Sequence, residues 1–178
     1  MIKYDEKYYF NLLKIHTHTA KQICDIRWNM VLSSDVGVIL PTVLDYGSGV
    51  GWFAAFKPST QIVVDTFDIM PVPQSGIIHD HYDIVTMWDV LEHIPDFTEL
   101  SGIFSKTDFV ALSIPIKPDN ITWNEWKHFK PAEHLQYYSK DLLEAMFGIY
   151  GFKKIIECQI ECPPRTDVWD FVFKKEGK

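Results

Sequence analysis

Apolar positions along this chain fall into two rhythms. Over residues 5–32 they recur at helical spacing, with Leu12, Ile15, Ile23, Ile26 and Val31 giving partial apolar faces and no proline interrupting. Ser33, Ser34 and Gly37 close that stretch as a loop. Beyond it, short apolar runs alternate with polar or helix-like ones. Residues 43–46 predict a short buried strand, and residues 61–67 a second one, β-branched at Ile62, Val63, Val64 and Thr66. Residues 82–88 and 108–114 are apolar enough for strands covered on both faces. Brief helices are predicted over 52–56, stopped near Pro58, and over 97–104. Ser139 is placed to cap a helix running to Tyr150, and Gly151 to end it. Residues 152–162 and 168–174 then form two strands turning around Pro163 and Pro164.

Strands alternating with helices and closed by a hairpin predict an α/β fold. It is a Rossmann-like, mostly parallel sheet with a C-terminal antiparallel hairpin. No internal repeat or linker divides the chain. The expectation is one domain over 1–178, with an N-terminal helical part over 1–40 and a ligand-binding core over 41–178. At 178 residues such a chain buries a continuous core without disulfide or metal staples.

Charge and cysteine usage narrow the function classes. A formal net charge of -7 argues against a general nucleic-acid surface, because neutralising phosphates takes clustered Lys and Arg. Cys24, Cys158 and Cys162 do not make a disulfide framework, and the chain opens without a basic-then-apolar segment, so a cytoplasmic location is expected. The apolar runs are far short of the roughly 20 residues a membrane helix needs, and no membrane association is expected.

The chemistry concentrates where the first strand ends. Gly47, Gly49 and Gly51 stand between that strand and a helix, an arrangement that brings backbone close to a nucleotide-like ligand. A dinucleotide fingerprint needs its third glycine at position 52, which is Trp52, and no Lys follows the glycines as in a phosphate loop. These two mismatches weaken a nucleotide-dependent oxidoreductase reading.

The stretch from Asp45 to Gly51, D-Y-G-S-G-V-G, resembles the glycine motif of class I S-adenosylmethionine-dependent methyltransferases, with Asp45 at the acidic position. Asp68 stands where that family places the carboxylate accepting from both ribose hydroxyls, with Asp65 as a substitute further back. Ile69 stands where an apolar residue packs on adenine. Asp89 to His93, D-V-L-E-H, is similar to the segment after the fourth strand in the small-molecule branch. His134, Tyr138, Ser139, Gly151 and Phe152 take the places of an H-x-x-x-[FY]-S segment running into a helix that ends in Gly-Phe. The resemblance spans residues 43–174. One departure stands out: residues 69–81 are too short and proline-rich for the helix and third strand the family has there, so the third strand is expected to be missing or vestigial.

The resemblance implies S-adenosyl-L-methionine as cofactor, in-line methyl transfer to a small-molecule acceptor, and no metal. Asp45, Tyr46, Gly47, Gly49, Gly51, Asp68, Ile69, Trp88 and Asp89 are the implied cofactor-binding residues, Tyr46 and Trp88 being the aromatic candidates near the sulfonium. His93 is the candidate base, with capping of the following turn as its alternative role. His128, His134 and Trp126 are candidate acceptor-binding residues, and converging histidines favour oxygen as the acceptor atom. Trp123, Trp126 and Phe129 either line an aromatic pocket or bury their loop. The pairs His16/His18 and His79/His81 have the wrong spacing to share a helix face, and Cys158 and Cys162 read as packing residues. No N/D-P-P-Y/F segment of amino methyltransferases is present, which favours a small-molecule hydroxyl. The competing reading from another class is a cofactor-binding but catalytically silent regulatory or scaffold module.

Overall fold

The structure is a computed structural model in which residues 17–34, 37, 40–70, 76–161 and 165–177 are described. The elements run α1 (Thr17–Ser33), β1 (Thr42–Tyr46), α2 (Trp52–Ala55), β2 (Val63–Phe67), β3 (Tyr82–Trp88), α3 (Ser101–Phe104), β4 (Thr107–Pro115), α4 (Lys140–Ile149), β5 (Phe152–Cys158) and β6 (Val168–Lys175). Single 3-10 turns lie at Leu91–His93, Phe97–Leu100 and Trp123–Glu125. The six strands form one sheet in the order β2-β1-β3-β4-β6-β5. Strands β1 to β4 are parallel, and β6 runs antiparallel between β4 and β5. The Rossmann-like expectation and its antiparallel closing hairpin therefore hold.

Successive side chains of a strand point to opposite faces, and the central strands bury both. Val43, Ile84, Phe109, Ala111 and Val172 face one layer, where Trp28 of α1 lies flat on Phe53 of α2 at 4.2 Å. Leu44, Val85, Val110, Leu112 and Phe173 face the other, where Phe147 of α4 stacks on Phe173 at 4.1 Å. Burying each such side chain contributes about 1.5–3 kcal/mol. Among the described residues, no helix is long and apolar enough to cross a membrane.

Differences from expectation are local. Gln61 and Ile62 precede β2 in a turn, where Gln61 N donates to Ser59 Oγ, so the strand begins at Val63. The helix expected over 97–104 is a 3-10 turn passing into α3, started by Asp96, whose carboxylate accepts from Thr98 N at 2.9 Å. Ser139 caps α4 as expected, accepting from Leu142 N at 3.1 Å, and Gly151 follows with φ +78°. The last hairpin strands end at Cys158 and Lys175. Residues 1–16, Cys162, Pro163 and Pro164 lie outside the described residues, and so do the readings that rest on them.

No strand is found between β2 and β3 among the described residues, which leaves β2 at the sheet edge. The carboxylate of Asp65 organises what replaces it. It accepts from the Tyr82 hydroxyl and His79 Nδ1, both at 2.7 Å, and from Ile78 N at 3.3 Å. Asp65 is therefore committed to the fold.

Gly47 is required by packing as well as by conformation. Its φ is +76°, and a Cβ there would lie 2.9 Å from Val90 Cγ1 and closer still to Cγ2. Gly47→Ala is expected to cost about 1–3 kcal/mol in denaturant unfolding. Adding Val90→Ala should return part of that loss, since it removes the clash but not the left-handed strain. A double mutant with fully additive losses would show that Val90 is not the obstacle.

Candidate functional site

The turn after β1 is tied to the end of β2 by backbone and side chain together. The Phe67 carbonyl accepts from Gly47 N at 2.7 Å and Ser48 N at 3.0 Å, and Asp68 Oδ2 accepts from Gly49 N at 2.8 Å. Asp68 Oδ1 also accepts from Met70 N at 2.9 Å. Gly49 has φ +54°, and the space where its Cβ would stand is open. Gly51, at φ +78°, is the N-cap of α2, and its carbonyl accepts from Ala55 N.

Above this turn, at the carboxyl ends of β1, β2 and β3, lies a cavity of about 530 Å³. That is within the size range of small-molecule sites. Asp45, Tyr46, Gly47, Gly49, Asp68, Ile69, Trp88, Asp89 and His93 all line it, so the structure brings together nearly every residue expected to hold the cofactor. Gly51 stands behind the wall as a helix cap. Ile69 lines the cavity yet is 79% exposed, as the short segment after β2 leaves its outer side uncovered. Trp88 presents its ring to Arg27, 4.7 Å above it, and lies 5.2 Å from Phe53.

His128, His134 and Trp126 are not in the cavity wall. Trp126 is buried, with its indole N–H donated to Asp167 at 2.9 Å, and His128 packs beside it, 3.4 Å from the same carboxylate. Trp123 packs on Trp126, Phe129 and Tyr137, so the aromatic loop is held by its own rings. His79 and His81 turn to different carboxylates, Asp65 and Asp108.

Sequence reasoning missed an ion cluster at the base of the cavity. Arg27 of α1 donates through Nε to Glu161 at 2.5 Å and through Nη2 to Asp89 at 3.3 Å. Arg165 donates to both oxygens of Asp89 and to Glu161. Asp89 is the one described residue other than glycine with positive φ, +57°, a conformation that persists only where the surroundings fix it. Burial pushes its carboxyl up, but Arg165 and Arg27 hold it below the usual carboxylate range. Of the apolar positions read on α1, Val31 is buried but Ile26 is exposed, and the helix turns Ala20, Cys24, Trp28 and Met30 inward instead; Arg27 had no local signal to mark its ion pairs.

Three buried carboxyls shift the other way. Burial pushes Asp45 up to about 7 against a hydrogen bond from Thr86, Asp170 to about 7, and Glu92 to about 8. Glu92 and His93 share the 3-10 turn after β3, and His134 meets His93 edge-on at 4.9 Å. Burial, with His93 beside it, pushes His134 down to about 4. His93 Nδ1 lies 3.0 Å from the Glu133 carbonyl, which only accepts, so Nδ1 carries the proton and the lone pair is on Nε2.

The model of the methyltransferase-domain family matches residues 17–157. No sequence among the curated proteins matches the chain. Among solved structures, the chain is similar to Burkholderia thailandensis 1,6-didemethyltoxoflavin-N1-methyltransferase, solved with its substrate and S-adenosylhomocysteine (TM-score 0.67, 16% identity, 95% of this chain and 84% of that one). It is also similar to a SAM-dependent methyltransferase from Archaeoglobus fulgidus (0.61, 16%, 94% and 100%). A third likeness is to magnesium protoporphyrin IX methyltransferase from Synechocystis with bound S-adenosylhomocysteine (0.56, 17%, 90% and 83%). At these identities the structural likeness speaks to the fold.

Asp45 makes a test of the site's electrostatics. An acid whose folded pKa is raised binds more protons folded than unfolded, so its contribution is present near pH 4 and is lost as pH rises to about 7. Asp65, Asp89 and Asp167, pulled below the usual range by hydrogen bonds and nearby cations although burial opposes it, lose their contributions only at lower pH. Asp45→Asn keeps an acceptor for Thr86. In cofactor-free protein it is expected to be more stable than the parent at pH 8, on the order of 2 kcal/mol, with the gap closing towards pH 4. Parallel stability profiles across that range would show that Asp45 is ionised throughout.

Proposed function

We propose that this chain, a member of the methyltransferase-domain family, transfers the methyl group of S-adenosyl-L-methionine to a hydroxyl oxygen of a small molecule. The observation that carries the reading is the joint placement of the glycine turn and Asp68 around one cavity of cofactor size. The groups present fit this cofactor. Gly49 offers an open backbone surface, Asp68 is held at the end of β2 to accept from ribose hydroxyls, and Ile69 covers one side of the base. Relatives in fold are solved with this cofactor's product or with small-molecule substrates, which supports the same pairing here.

When bound, the cofactor supplies a methyl group on a positively charged sulfur, already electrophilic. The chain's part is alignment and proton removal. Asp45 and Asp68 lie on the cofactor side, and Tyr46 and Trp88 offer aromatic faces to the positive charge. Holding donor and acceptor in line supplies several kcal/mol of the barrier. His93 takes the acceptor's proton: its Nδ1–H is committed to Glu133, which leaves Nε2 as the basic nitrogen. His128, His134 and Trp126 support the acceptor end from behind rather than touching the acceptor. We further propose that the chain works as one domain, and in the cytoplasm, where the free thiols of Cys24 and Cys158 stay reduced.

Calorimetry with S-adenosylmethionine tests the cofactor assignment. Asp68→Ala is expected to weaken binding about ten- to hundredfold, the cost of losing hydrogen bonds to a charged acceptor. Equal affinity in parent and variant would sink the ribose assignment.

The base is tested separately, on the first acceptor that a metabolite screen reveals. His93→Ala should keep cofactor affinity and lose methyl transfer by at least about tenfold. An unchanged rate would remove His93 from the mechanism. Tight cofactor binding with no acceptor methylated in any assay would favour the silent module.

A further inference from the structure

Behind the acceptor end of the cavity, three side chains offer metal-binding atoms to one point. One donor atom from each of Glu92, His93 and His134 lies within 4.8 Å of the others. Glu92 and His134 are buried, at 3% and 5% exposure, and Glu92 Oε2 and His134 Nδ1 are both buried without a hydrogen-bond partner. A polar atom left unsatisfied inside a protein is costly, and two of them on residues of one cluster call for a partner that satisfies both. A proton on the carboxyl would serve one of them; a cation serves both.

The two segments are clamped in this arrangement. The Glu92 carbonyl accepts from Leu135 N at 2.8 Å and Gln136 N at 3.1 Å, and His93 Nδ1 donates back to the Glu133 carbonyl at 3.0 Å. These three bonds join residues some forty positions apart and hold His134 against the 3-10 turn. The bond from His93 is the kind of support that metal-ligating imidazoles have. One ring nitrogen donates to a backbone carbonyl, which fixes the tautomer and turns the other nitrogen to the metal.

We propose that Glu92, His93 and His134 bind a divalent transition-metal ion. Two imidazoles and one carboxylate suit zinc, cobalt or iron better than magnesium or calcium, which prefer oxygen donors throughout. Ligand atoms about 2.0–2.2 Å from such an ion stand roughly 3–4 Å apart, so small side-chain rotations close the site from its present spacing. Three protein ligands leave a coordination position open, and His93, which lines the cavity, sets the ion where that position meets an incoming acceptor.

This inference rests on the proposed placement of His93 at the acceptor end and, for the metal-loaded protein, replaces its role as base with that of a ligand. In the loaded protein Nε2 is a ligand. The acceptor hydroxyl then loses its proton to water under the charge of the ion instead of to the imidazole. The oxygen forms its bond to the methyl carbon as the carbon–sulfur bond breaks and leaves its electron pair on sulfur.

The test uses the full chain, free of affinity tags and stripped of metal, titrated with Co²⁺ alone and followed by its visible absorption. One equivalent is expected to bind with the spectrum of a nitrogen-ligated ion, and Zn²⁺ should displace it. His134→Asn and Glu92→Gln should each weaken Co²⁺ binding by at least about tenfold. Because neither residue lines the cavity, both variants should keep S-adenosylmethionine affinity, which also reports that they fold. Absence of stoichiometric binding by the parent overturns the proposal even if a variant fails to fold, and so does parent-like binding by either variant. Loss of the Co²⁺ result with cofactor binding intact removes the metal and leaves the methyltransferase reading; Co²⁺ binding without cofactor binding does the reverse.

Discussion

The Phe67 carbonyl and the Asp68 carboxylate at the end of β2 hold the glycine turn, and the ligand site depends on that tie. A turn with three glycines has wide conformational freedom and would lose its shape if left to itself. Four hydrogen bonds remove that freedom: three receive the N–H groups of Gly47, Ser48 and Gly49, and the fourth anchors the carboxylate itself on Met70 N. Val90, in the turn after β3, adds a steric stop. The turn and Asp68 are therefore one unit, and the position of one sets the position of the other.

Much of this was legible in the sequence because its causes are local. The strand β3 was read to the residue, since an unbroken apolar run of that length between polar flanks has one interpretation in a two-layered sheet. The α4 boundaries followed from Ser139 and Gly151, whose side chain and φ each have a single structural meaning there. That no strand stands between β2 and β3 among the described residues accords with the prolines and short length of that segment. Arg27, Glu161 and Arg165 were not, because their partnership joins residues 134 positions apart and leaves no pattern in any one segment. The same holds for the burial of Trp126 and His134. Both lie in a loop whose composition looked like a pocket, but Asp167 claims the first and the turn carrying Glu92 packs against the second.

The loop between β2 and β3 shows how a shortened fold keeps its register. A helix and strand would have covered the edge of β2 and carried the chain back to β3. Here one buried carboxylate, Asp65, does the returning by gathering Ile78, His79 and Tyr82. The cover is lost even though the register is kept: Val63 and Ile69 stand in solvent. The open end of the cavity is consequently the one beside Ile69.

Charge balance says what kind of ligand the enclosed end suits. Arg27 and Arg165 meet Asp89 and Glu161 in equal number, so that cluster is neutral within itself. Asp45, in the wall, and Glu92, behind it, are left without a cation in hydrogen-bond contact, and burial pushes both carboxyls up, to about 7 and about 8. A cavity that keeps two buried acids neutral gains little from an anionic guest and much from a cationic one, because each acid recovers its charge when a positive centre arrives. A sulfonium ion beside Asp45 would draw on that reserve, whereas the metal proposal stands on the geometry that gathers Glu92, His93 and His134.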